Sequence, residues 1–326
     1  MRRRLLCSYA ILACICPSLC LAQIASRVPV LNFEKPPTTE ADLPASETIR
    51  KDVDEVNLVF SVRDRGGHFV TDLQPHQVQV LDNRRPPESV RLFEAQTNLP
   101  LRVGLLVDGS DSVDARFGFE KTAAVDFLRQ TLRAGSDQAF AVRFDASVHL
   151  VQDWTDNIQQ LEQSILGMRV GGETALYDAV RQASEKLSEP SGRFHRRAII
   201  LITDGMDNRS HANLAEAIET ALRAEAVIYV LSTNSAQTVN MAGELAMARL
   251  AEATGGRVLR AEKEKDIRRA FQSIQLELRS QYLLGYKPAE FRPDGSYRTI
   301  SVKTRNRGGL RVHVRRGYYT RPTKPL

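Results

Sequence analysis

Asp108, Ser110 and Ser112 stand at alternate positions directly after the largely apolar run 99–107. One carboxylate and two hydroxyls, placed where a buried strand should give way to a loop, suit a hard cation that takes oxygen ligands. Two further stretches offer oxygens beside apolar or amphipathic segments: Gly171-Gly172-Glu173-Thr174 and Thr203-Asp204-Gly205. Each residue also has a plainer reading. Asp108 can cap its own loop, and Ser110 or Ser112 a helix. Thr174 can be the N-cap of the helix it precedes, and Asp204 an Asx-turn residue. Asp111 and Asp114 read as exposed, and Asp207 as turn chemistry with Asn208. A cation site requires that the three loops meet.

The segments between these loops must position them. Val56, Leu58, Phe60 and Val62 alternate with Asn57, Val59 and Ser61, which predicts a strand. Turns at Asp64-Arg65-Gly66-Gly67 and Asp82-Asn83, with apolar positions through Phe93, extend this to a small antiparallel β unit. After Pro100 the pattern changes to alternating strands and helices. Segments 101–107, 138–144, 148–151, 198–203 and 227–231, and a short one around Val258, read as strands. Apolar stripes at helical spacing predict helices over 119–132, 158–166, 176–187, 214–222, 245–250 and 267–278. Continuous apolar strands between amphipathic helices predict an α/β fold, a doubly wound, mostly parallel sheet covered on both faces. Ligands of such sheets bind outside the strand carboxyl ends, near a topological switch point. Asp108 and Asp204 both fall there.

The tail returns to β. Segment 281–286 and the alternating stretches around Val302 and Val312 read as strands, separated by turns at Pro293-Asp294-Gly295 and 305–309. The expected organisation is a signal peptide (1–22), a linker (23–48), an accessory β segment (49–98), the α/β domain (99–278) and a C-terminal β segment (279–326). That last segment is expected to pack with 49–98 into a small accessory β domain.

Taken together, Asp108-Gly109-Ser110-Asp111-Ser112, Thr174 and Thr203-Asp204-Gly205 resemble the metal-ion-dependent adhesion site of the von Willebrand factor type A domain. The resemblance spans roughly 99–278 and includes the placement of the strands. The β unit before it, the Tyr-rich β tail after it and the leader in front look like an exported bacterial subfamily described from Acidobacteria. The resemblance implies a Rossmann-like fold and a divalent cation, Mg²⁺ first, with Mn²⁺ or Ca²⁺ as alternatives. It implies metal ligands at Asp108, Ser110, Ser112, Thr174 and Asp204, and a protein partner whose Asp or Glu completes the shell. It implies a non-enzymatic interaction module. The alternatives are an envelope assembly factor that does not use the metal, or a metal-dependent hydrolase.

Composition agrees with a globular chain of 326 residues, 42% apolar and 26% charged. Met1-Arg2-Arg3-Arg4, an apolar stretch and Cys20-Leu21-Ala22 predict a secretory signal cut after Ala22, against the alternative of an uncleaved anchor. Export to the periplasm or beyond follows, with no membrane insertion after cleavage. All four cysteines, Cys7, Cys14, Cys16 and Cys20, lie in that leader, so the mature chain has neither disulfide nor thiolate chemistry. The leader carries three of the +6 formal charges, which leaves +3 and gives no support to nucleic-acid binding. His68, His76, His149, His195, His211 and His313 form no zinc-protease run, and Ser110 lies in no nucleophile elbow. Arg298, Lys303, Arg305, Arg311, Arg315 and Arg316 read first as a solvated strand face that discourages aggregation, and second as a contact for anionic polymer.

Overall fold

The computed structural model describes residues 55–96, 99–191, 195–234, 240–305 and 307–321. The expected signal peptide and linker lie outside the described residues. Asp52–Leu326 form one compact unit.

At its centre lies a six-stranded sheet. Its strands are β4 (Leu101–Asp108), β5 (Gln138–Phe144), β6 (Val148–Thr155), β7 (Arg196–Thr203), β8 (Ala226–Ser232) and β9 (Val258–Arg260). They are preceded by β1 (Val56–Arg63), β2 (Val78–Asp82) and β3 (Ser89–Gln96). The spatial order is β6-β5-β4-β7-β8-β9. All neighbours are parallel except β5 and β6, which form an antiparallel pair. Every residue of β4 is buried, because helices cover both faces and leave no solvent side for polar residues.

Helices α1 (Asp114–Thr131), α2 (Ile158–Leu166) and α6 (Glu264–Leu278) share one hydrophobic core with one face of the sheet. Helices α3 (Leu176–Leu187), α4 (Leu214–Arg223) and α5 (Met241–Thr254) share the other. Asn157, Asn213 and Asn240 cap α2, α4 and α5, each side-chain oxygen accepting two backbone N–H groups that the helix leaves unpaired.

From β4 the chain winds outward to β5 and β6. It then returns past β4 to β7 and winds the other way to β8 and β9. The winding reverses between β4 and β7, and their carboxyl ends carry Asp108 and Thr203-Asp204. The neighbouring strand ends therefore splay into opposite connections, which opens a crevice there.

The flanking segments build two further sheets. Their late strands are β10 (Gln281–Lys287), β11 (Tyr297–Thr304), β12 (Arg311–Val314) and β13 (Gly317–Tyr319). One sheet has the order β12-β1-β10-β3, the other β13-β11-β2, so each mixes strands from both ends of the chain. Strand β1 pairs with β10 from Val56↔Tyr286 to Ser61↔Gln281. Leu58, Phe60, Val80, Tyr282, Tyr286 and Val302 fill a common core. Buried Asp82 accepts hydrogen bonds from Tyr286 and Tyr318, each at 2.9 Å, and pairs with Arg298 at 2.7 Å.

These sheets dock at the edge where the central strands begin. Helices α5 and α6 run back against the strands, so their carboxyl ends lie at that edge. There Arg316 N donates to Ala253 O at 2.9 Å. Glu277, fully buried near the end of α6, accepts from Ser61 Oγ (2.8 Å), Arg63 Nη2 (2.9 Å) and Arg257 Nε (2.9 Å). The flanking β portion therefore covers the edge opposite Asp108 and Asp204.

Three details differ from the sequence reading. Strand β6 runs on to Thr155, because it is a half-exposed edge strand whose irregular pairing with β5 hides the alternation. Strand β13 is too short to show a period. The tail cations do not share one solvated face: Arg298 and Arg315 are buried, the latter donating to Asn57 O at 2.9 Å. Their charges are needed inside, opposite buried acceptors. Among the described residues no helix is long and apolar enough to cross a membrane.

Candidate metal centre

The loop after β4 begins with Asp108, which is fully buried. Its Oδ1 accepts from Ser110 N at 3.0 Å and its Oδ2 from Thr203 Oγ1 at 2.6 Å, so one carboxylate joins the ends of β4 and β7. Ser110 Oγ lies 3.1 Å from Ser112 Oγ. Ser112 Oγ in turn donates to Asp204 Oδ2 at 2.6 Å. Asp108, Ser110, Ser112 and Asp204 thus form one polar cluster at the switch point. A short 3₁₀ turn, Asp111–Val113, leads from it into α1.

The Gly171–Thr174 loop is laced to both others through the backbone. Gly171 N donates to Gly109 O at 2.8 Å, and Asp111 N to Gly172 O at 3.1 Å. Gly172 N returns a bond to Asp111 Oδ1 at 3.1 Å. Thr174 N donates to Asn208 Oδ1 at 2.8 Å, and Thr174 O accepts from the N–H groups of Asn208 and Arg209. Buried Thr174 is fastened by these bonds to the third loop, and none of them runs to the other four expected ligands. The three loops meet.

Several residues hold the loops in ways the sequence did not announce. Asp178 on α3 accepts from the N–H groups of His211 (2.9 Å) and Ala212 (3.0 Å), which anchors the far end of the third loop. Asp207 accepts from Tyr177 N at 2.9 Å as well as from Ser210, so it ties the third loop to the first turn of α3 besides closing a turn. Asp145 lies next to the second loop: its carbonyl accepts from Ala175 N at 2.7 Å and its carboxylate pairs with Arg143 at 2.6 Å. Asn234 Nδ2 donates to Asp204 O at 2.7 Å and to Glu244 Oε1 at 2.9 Å. None of these residues belongs to a spaced motif, so only the folded loops reveal these bonds.

The third loop also depends on a close approach of backbones. Gly205 has φ +82°, in the left-handed region, and a Cβ there would come within 2.6 Å of Met247 Cε and 3.0 Å of Gly243 O. A Cβ on Gly243 would in turn lie 2.6 Å from Gly205 O. The first turn of α5 therefore sits directly on the loop that carries Asp204. Gly205→Ala should cost roughly 1–3 kcal/mol through strain at this angle and the clash, read as a lower midpoint in urea unfolding.

Burial dominates the electrostatics. It pushes the Asp108 carboxyl up to about 6, against the hydrogen bonds from Thr203 and Ser110, with Asp204 adding to the rise. A second acid is close by. Glu120 on α1 is fully buried, and burial pushes it up to about 8 despite Arg116, with Asp108 and Asp204 again adding. Its inward placement has a signal in the sequence, since Phe117, Glu120, Ala124 and Leu128 share one helical face.

The donor set fits a hard divalent cation that retains waters. Only two of the five expected ligands are carboxylates and three are neutral hydroxyls, all oxygens. Among the described residues no group of three or more His, Cys, Asp or Glu could hold a metal ion by itself. A soft or thiolate-seeking metal finds no donors in these loops.

Residues 103–206 match the family described as von Willebrand factor type A domain. No curated protein sequence matches the chain. Among solved structures it is similar to the conserved hypothetical protein BatB from Bacteroides thetaiotaomicron, at 17% identity and TM-score 0.44 over 55% of this chain and 100% of that one. It is also similar to a von Willebrand factor type A protein from Catenulispora acidiphila, at 12% identity and TM-score 0.47 over 84% and 76%. The PilB minor pilin from Streptococcus sanguinis aligns at 13% identity and TM-score 0.46 over 60% and 63%.

Proposed function

From the premise that residues 103–206 carry a von Willebrand factor type A domain, we propose that this chain is an exported, non-enzymatic protein-binding module. It engages an acidic side chain of its partner through a divalent cation, Mg²⁺ in the first instance. The observation that carries this reading is the cluster in which Ser112 bonds Asp204 at 2.6 Å while Thr203 bonds Asp108 at 2.6 Å. Residues far apart in sequence converge there on one small oxygen-rich point.

In this reading Asp108, Ser110, Ser112, Thr174 and Asp204 hold the cation. When bound, it supplies a Lewis-acidic centre with a position open to a partner carboxylate. Hydroxyl ligands add no charge, so the ion keeps most of its attraction for that carboxylate. Buried Asp108, fastened to Thr203 and Ser110, orients the first loop. Asp111 and the backbone of Gly172 keep the second loop closed on the first.

Calorimetry tests the cation: Mg²⁺ should bind at one site per chain. At one hundred times its Kd it should add about 2.7 kcal/mol to unfolding stability, reversed by EDTA. Capture of a partner from envelope extract should be lost in EDTA, restored by Mg²⁺ and competed by acidic peptides. Capture that persists in EDTA refutes the clamp.

A further inference from the structure

Glu120 is a fully buried acid that is only weakly held. Both carboxylate oxygens are inaccessible to solvent, and no backbone N–H reaches either of them. Buried carboxylates are normally held by donors or ion pairs, so such a group points to a state other than the one described. The nearest cation is Arg116, one turn back on α1, whose Nε lies 3.8 Å from Oε1 and is itself unpartnered.

The groups around Glu120 come from each strand end beside the site. Asp108 ends β4 and Asp204 follows β7, and both are close enough to oppose its negative charge. Thr233, directly after β8, offers it a buried hydroxyl as a donor, while Thr233 N donates to Thr203 O at 3.0 Å. The charged groups that α2 and α6 bring to α1 meet it farther along. Glu162 pairs with Arg129, and Arg268 with Asp126. Glu120 shares no hydrogen bond or ion pair with Asp108 or Asp204.

We propose that Glu120 is a positioning charge near the cation site, protonated in the metal-free protein and ionised when a divalent cation binds there. The inference rests on the cation-site reading. Burial opposes the charge of Glu120 first, with Asp108 and Asp204 adding to it against Arg116 and Thr233, so Glu120 keeps its proton. A dication at the Asp108–Asp204 cluster reverses the sign of the local field, and the proton leaves to solvent. The ionised Glu120 then adds a third negative charge without occupying a coordination position. Cation binding and proton release become one linked equilibrium.

The test is Mg²⁺ calorimetry on the full chain in buffers of different ionisation enthalpy. At pH 7.5 Asp108 is already ionised, so release of about half to one proton per Mg²⁺ comes from Glu120. The affinity should rise about fivefold from pH 7 to pH 8. In Glu120→Gln the proton count should fall to near zero and the affinity become flat over that range. A purely structural role for Glu120 would not alter the proton count. Mg²⁺ binding without proton release, or a pH slope that survives in Glu120→Gln, overturns this inference and leaves the cation site standing. Absence of Mg²⁺ binding at every pH overturns both. Should Glu120→Gln fail to fold, the wild-type proton count decides alone.

Discussion

Asp108→Asn is expected to be more stable than the wild type in EDTA at pH 7, by about 3 kcal/mol, and to bind Mg²⁺ at least about 100-fold more weakly. The two effects have opposite signs and one cause. Burial raises the Asp108 carboxyl from 3.8 to about 6, so the fold disfavours its ionised form. A raised carboxyl favours folding when protonated. The metal-free wild type therefore loses stability as pH climbs from about 4 to about 6, and the whole difference is present at pH 7. An asparagine keeps the shape without the charge. Its Oδ1 accepts from Ser110 N as before, and the Thr203 hydroxyl turns to accept from the new amide. The gain should vanish below pH 4, where both chains are neutral at this position. Saturating Mg²⁺ should restore the wild type and leave the variant unchanged. Urea unfolding across this pH range, with and without Mg²⁺, reads all of this. Equal stabilities in EDTA at pH 7 would refute the electrostatic account. Unaltered Mg²⁺ affinity would remove Asp108 from the site.

Glu277→Ala should destabilise the protein by roughly 3–5 kcal/mol while leaving Mg²⁺ affinity within about twofold. Glu277 is fully buried and is shared by Arg63 of β1, Arg257 before β9 and Ser61. Its loss would strand two guanidinium groups at the junction between the α/β core and the flanking sheets. For a chain of this size, that amounts to a fall in Tm on the order of ten degrees. The junction lies at the edge opposite the cation site, so binding should be spared. Calorimetric melting and Mg²⁺ titration separate the two outcomes. A fall below 1 kcal/mol would mean that water replaces the carboxylate at the junction.

The central sheet is legible because strands buried on both faces are apolar along almost their whole length. Leu101 to Val107 and Ala198 to Thr203 announce themselves in that way. Edge strands carry no such constraint, which is why the far half of β6 and all of β13 escaped notice. The spaced oxygens of Asp108, Ser110 and Ser112 stood out because a motif repeats them at fixed intervals. The bridging roles of Asp178, Asn234 and Asp207 did not, since polar residues in loops are common and only folding shows which backbone groups they hold. Glu120 was hidden for a different reason. A charged residue in a helix is ordinarily taken as solvated, and only its phase relative to Phe117 and Ala124 argues otherwise. Arg298 and Arg315 are hidden in the same way, because their acceptors come from strands far away in sequence.

The docking of the flanking sheets at the amino edge has a mechanical consequence. The first and last described strands, β1 and β13, both lie in those sheets, while the candidate binding point lies across the central sheet from them. A pull between that point and β1 therefore runs along β4 and β7. Each of these has a parallel neighbour on both sides, so the load meets their hydrogen bonds in shear. At the other end β1 is flanked by β10 and β12, and six residue pairs bind it to β10 alone. Bonds loaded in shear must break together, whereas a peeled strand gives them up one at a time. The central strands therefore resist a pull along their length better than one across them.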